Sequence, residues 1–129
     1  MAKQTPEGRV KAAVKKMLEE RGAYFFLPVS NGMGAMGIPD ILACLKGRFI
    51  GIEAKAGNNK PTDLQTLNLK RIDEAGGLAM VVNETNLSVL EVMLDDPQFA
   101  RSNYHLHTKP LTEDDGGARA PVKRKTKAP

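Results

Sequence analysis

The chain's 129 residues, 41% hydrophobic and 26% charged, suit one compact domain with a tail, and a core of that size needs no disulfide or structural metal. Its single cysteine, Cys44, excludes an internal disulfide and any multi-cysteine zinc site, which fits a reducing compartment. No apolar leader and no run of the roughly 18 to 20 apolar residues a membrane helix needs is visible, so a soluble, cytoplasmic protein is expected. The net charge of +4 is unevenly placed: residues 1–110 carry fourteen basic and twelve acidic side chains, whereas the segment from Gly116 onward carries five basic and none acidic. Such a segment attracts phosphates without sequence preference, or simply keeps a tail solvated.

In chain order, Thr5-Pro6-Glu7 opens a helix, with Thr5 as N-cap, Pro6 at the first helical position and an acid in the first turn. Val10, Ala13, Val14, Met17 and Leu18 recur at helical spacing, and Arg21-Gly22 closes the helix. Ala23 to Val29 reads as a strand, and Pro28 marks it as an edge strand or as its end. A glycine-rich loop, Ser30 to Gly37, leads to a strand at Asp40–Leu45. A Lys46-Gly47 turn then returns the chain as a hairpin strand over Arg48–Lys55.

After a loop at 56–61, Thr62 and Gln65 form a capping box for a helix whose expected buried stripe is Leu64, Leu67, Arg71/Ile72 and Ala75. Gly76-Gly77 ends it, and Leu78–Val82 is short and wholly apolar, as a buried strand should be. Thr85 or Asn86 caps a last helix through Leu94, with Leu87, Leu90 and Leu94 on one face. The expected order is α-β-β-β-α-β-α: an α/β fold with a mixed β-sheet flanked by helices, its last strand parallel to an earlier one because a helix crossover precedes it. A folded domain over 1–108 and a disordered basic tail over 109–129 are expected.

Two strands joined by a tight hairpin place the start of one beside the end of the other. Asp40 therefore sits next to Glu53 and Lys55 despite thirteen residues of separation, and Glu53 and Lys55 point the same way because strand side chains alternate. Two carboxylates at one point repel unless a cation lies between them, and hard oxygen donors suit Mg2+, with Mn2+ as a substitute. Such an ion activates water for attack on a phosphodiester, and Lys55 can stabilise charge developing on the phosphate.

The ordered series is specific. Glu7 is followed by Gly37-Ile38-Pro39-Asp40, then by Gly47-Arg48-Phe49-Ile50-Gly51-Ile52-Glu53-Ala54-Lys55. Pro61-Thr62-Asp63-Leu64-Gln65 and Gly76-Gly77 complete it. This series resembles the VRR-NUC family of the PD-(D/E)XK nuclease superfamily over residues 5–94. The resemblance implies a restriction-endonuclease-like core related to archaeal Holliday-junction resolvases, and a Mg2+- or Mn2+-dependent endonuclease that cuts branched DNA as a homodimer. It implies that Glu7, Asp40 and Glu53 approach the metal with the Ala54 carbonyl, that Lys55 assists catalysis and that Gln65 supports the site. If a phage encodes the chain, its location is the host cytoplasm.

Plainer roles stand beside these. Glu7 shares the Val10–Val14 stripe but is also a favourable first-turn acid, and Gln65 is what a capping box requires anyway. Ser30, Asn31 and Lys60 are candidate DNA contacts. Lys11, Lys15, Arg48, Lys70 and Arg71 either flank a groove or form a solvated face, and Met33 and Met36 belong to an interface or the core. His105 and His107 are read as surface residues and Cys44 as core. Two rival functions remain open: a non-catalytic DNA-binding module on the same fold, and a nuclease acting on RNA.

Overall fold

The computed structural model describes residues 4–29 and 36–106. Helix α1 spans Pro6–Glu20. The Thr5 side chain accepts from the Gly8 N–H at 2.9 Å, so one otherwise orphaned amide of the first turn is satisfied. Strand β1 is only Tyr24–Phe26, shorter than the expected 23–29 span because the chain leaves the sheet ahead of Pro28. Strands β2 (Ile41–Leu45) and β3 (Arg48–Ala54) are joined by Lys46 and Gly47, both at positive φ (52° and 83°), the geometry of a two-residue hairpin turn. Helix α2 spans Asp63–Glu74 behind a complete capping box, strand β4 is Leu78–Val82, and helix α3 is Leu87–Asp95. A single 3-10 turn follows at Tyr104–Leu106.

The four strands lie in the order β1-β2-β3-β4, with the first two pairings antiparallel and β3 parallel to β4. The architecture is thus a mixed α/β fold in the expected element order. On one face of the sheet Ile41, Ala43, Ile50, Ile52, Leu78, Met80 and Val82 pack against Val10, Val14 and Leu18 of α1 and Leu90 and Leu94 of α3. On the other face α2 covers β3 and β4, where Leu69 meets Ala79 and Val81. Among the described residues, no helix is long and apolar enough to cross a membrane.

Helix α2 does not bury the stripe its sequence suggested. Leu64, Arg71 and Ala75 are exposed, Leu67 and Ile72 are only half-buried, and the buried residues are Thr66 and Leu69. The hydroxyl of Thr66 donates to the Thr62 carbonyl at 2.9 Å, so a polar residue enters the interface with its hydrogen bond satisfied. Asn86 caps α3 without a side-chain bond to it. Its amide group instead accepts from the Asn83 N–H and donates to the Val81 carbonyl, bracing the turn that precedes the helix.

Because α2 covers only half its face, the β1–β2 half of that face is bare among the described residues. Tyr24, Cys44 and Phe49 lie in one cross-strand row and Phe26 and Leu42 in the next, and Tyr24 is 83% exposed. Cys44 is therefore exposed, not part of the core. Alternation along β2 turns it away from Ile41, Ala43 and Leu45, toward the face that no helix among the described residues covers there.

Arg48 also departs from expectation. Its guanidinium donates to the carbonyls of Gly76, Gly77, Pro97 and Ala100 at 2.6–3.2 Å, so it clasps the α2–β4 turn to the segment after α3 instead of flanking a groove. That segment then covers the outer edge of β4. The Ser102 hydroxyl accepts from the Ala79 N–H, and the buried Asn103 amide pairs with both the N–H and the carbonyl of Val81.

Candidate active site

Two close approaches of backbone set the position of Asp40. Gly37 has φ 71°, and a β-carbon there would stand 2.8 Å from the Leu64 carbonyl group. Only glycine lets the 36–39 segment lie this close to the first turn of α2, where Asn68 secures it by donating to the Met36 carbonyl at 2.8 Å. Gly51 lies on the covered face of β3. A β-carbon there would meet Ile72 at 2.5 Å and Pro39 at 3.3 Å, so its bareness lets both side chains rest on the strand. The two glycines hold Pro39 down and deliver Asp40 to the end of the sheet.

There Asp40 is anchored by the strand it faces. Its Oδ2 accepts from the Ala54 backbone N–H at 2.9 Å, and its Oδ1 lies 3.6 Å from Lys11 Nζ on α1. One residue back along β3, Glu53 is 1% exposed, and its Oε2 lies 3.4 Å from Lys55 Nζ. Its Oε1 is buried with no hydrogen-bond partner among the described residues. Burial first, and then the neighbouring Asp40 charge, push the Glu53 carboxyl up to about 7, while Lys55 acts in the opposite direction. The result is a row of alternating charge, Lys11–Asp40–Glu53–Lys55, at one end of the β2–β3 hairpin.

The expected trio of Asp40, Glu53 and Lys55 is thus brought together. Ala54 is present through its N–H, which is spent on Asp40. Glu7 is half-buried on α1, but among the described residues no group of three His, Cys, Asp or Glu side chains assembles. Helix α1 reaches the acids instead through Lys11, one turn beyond Glu7. The side-chain carbonyl of Gln65 accepts from the Thr62 N–H at 2.9 Å, so its visible work is the capping box. Lys60 is exposed in the loop after β3.

Lys70 pairs with Glu74 at 3.6 Å, and Lys15 and Arg71 are exposed. His105 is on the surface, its ring edge-on to Tyr104, and Met36 is exposed. Ser30, Asn31, Met33, His107 and the 109–129 tail lie outside the described residues. Glu84 accepts from the Gly57 N–H through both carboxylate oxygens at 3.0 and 3.1 Å, fastening the loop that follows Lys55.

In the sequence Lys11 is one basic residue among several. Its signal was positional: it stands four residues after Glu7 and beside Val10, at the margin of the buried stripe of α1.

Comparison of the chain with protein-family models, with curated proteins and with solved structures returned no match.

Proposed function

We propose that the chain is a divalent-metal-dependent endonuclease of the PD-(D/E)XK type, similar to the VRR-NUC family, that hydrolyses phosphodiester bonds in branched DNA. The observation that carries this reading is Glu53 Oε1, a buried carboxylate oxygen with no partner among the described residues, beside a second carboxylate. An orphaned charged oxygen in a core is costly unless something pairs with it. A donor set of carboxylate oxygens at the end of a sheet fits a hard divalent cation such as Mg2+ or Mn2+.

Asp40 and Glu53 would hold that ion, with the Ala54 peptide fixing the orientation of Asp40. When bound, the ion supplies Lewis acidity toward water and a phosphate oxygen. Lys55, held against Glu53 and only 13% exposed, keeps an ammonium at the rim of the acid pair, where it can neutralise charge that grows on a phosphate. Glu53 fixes Lys55 in place.

The test is cleavage of four-way junction, flap, single-stranded and linear duplex DNA, side by side, in Mg2+, Mn2+ and EDTA. Metal-dependent cutting with preference for the branched substrates is expected. Asp40→Asn should abolish it, and Lys55→Ala should slow it by roughly a hundredfold or more. DNA binding in EDTA without cleavage in either metal, or full activity in either variant, would overturn the reading.

A further inference from the structure

We infer that Lys11 is the cation with which a divalent ion competes for Asp40, so that metal binding at this site proceeds by exchange of an ammonium. The inference rests on the nuclease reading above and adds a residue to it. The two acids are met by two lysines, so a divalent ion entering the row meets positive charge within a few ångström on both sides.

The two lysines are not equivalent. Lys55 follows directly on β3, its N–H donates to the Val82 carbonyl at 2.9 Å, and its side chain is 13% exposed. Lys11 is 36% exposed on a helix surface, and its ammonium stands at 3.6 Å from Asp40, a charge contact longer than a good hydrogen bond. A solvent-facing pair of that kind is weak, and a lysine with a flexible four-carbon stem leaves it readily for water. The oxygen it touches is also the one Asp40 has left, because the other is committed to the Ala54 N–H. Lys11 is the partner that gives way, and Lys55 the one that stays.

Mn2+ binding, followed by electron paramagnetic resonance or calorimetry without DNA, tests this in the wild type, Lys11→Met and Asp40→Asn. Methionine keeps an unbranched stem, one atom shorter, and removes the charge, and circular dichroism checks that each variant is folded. Lys11→Met should bind Mn2+ about five- to tenfold more tightly than the wild type, and Asp40→Asn should bind it far more weakly. In the wild type, Mg2+ should move the Lys11 ammonium resonance toward that of a freely solvated lysine and leave Lys55 little changed. Equal or weaker binding by Lys11→Met, with Asp40→Asn still impaired, overturns the role of Lys11 and leaves the nuclease reading standing. Absence of Mn2+ binding in all three overturns both.

Discussion

Glu53 is the residue whose chemistry most exceeds what its fold requires. A carboxyl raised from its ordinary value of 4.5 to about 7 is more easily protonated in the folded chain than in the unfolded one. The sign follows: its favourable contribution is complete below about pH 4.5 and is lost as pH rises through about 7. The loss amounts to about 3 kcal/mol. Denaturant melts in EDTA should therefore show stability falling across that window. Mg2+ should offset the fall increasingly above pH 7, because it competes with the proton for the same oxygens. Glu53→Gln should abolish cleavage yet stabilise the metal-free protein at pH 8 by about 1–3 kcal/mol, since it removes a buried charge while keeping the shape. A variant less stable than the wild type at pH 8 in EDTA would contradict the strained carboxylate. Cys44 offers a simpler check. Being exposed, it should react with a disulfide reagent in the native protein at a rate close to that of a free thiol, and protection until unfolding would place it back in the core.

Among the elements, the most informative are those whose glycines carry the site. At Gly37 any side chain collides with the backbone of Leu64, which cannot step aside, and the backbone conformation is one that L-residues avoid. Gly37→Ala should cost about 1–3 kcal/mol and lower cleavage by moving Asp40. At Gly51 the obstacle is the tip of Ile72, so Gly51→Ala should be milder and should recover when Ile72 is shortened to valine. Equal penalties at the two positions, with no rescue, would mean that the Ile72 tip is not the obstacle at Gly51.

This contrast also marks what can be read without a structure. Thr5-Pro6, Thr62 with Gln65, and Lys46-Gly47 were legible because caps and tight turns are decided within four residues. The pairing of Asp40 with Glu53 was legible for the same reason, being the corollary of one short hairpin. Cys44 was not: alternation divides β2 into two faces without saying which one a helix will cover. Lys11 needed the way α1 lies across the sheet. Arg48 needed partners 28 to 52 residues away, which no local pattern encodes.

For the whole molecule, the two sheet edges are unlike. The β4 edge is sealed by Ser102 and Asn103, and the Arg48 clasp holds their segment in place. Arg48→Lys keeps the charge but loses the fork of donors that reaches four carbonyls. It should cost about 1–3 kcal/mol and make the chain beyond α3 an early target of limited proteolysis. Unchanged protease resistance would show that the segment is held by other contacts. Two symmetric cuts in a branched substrate need two active sites related by a two-fold axis, so the nuclease reading carries a homodimer with it. Sedimentation with junction DNA should give two chains per junction, and a monomer throughout would remove that part of the proposal.

The order of the sheet has a kinetic corollary. Its first three strands lie side by side in the same sequence as along the chain, and the two acids are separated by a single tight reversal. Closing that loop costs little entropy, whereas seating β4 requires the helical crossover to be laid down first. The acid pair can therefore assemble from a local hairpin before the parallel strand arrives. In pulsed hydrogen exchange the β2–β3 amides should gain protection ahead of those of β4, and a chain stalled at that stage would already bring its two carboxylates together.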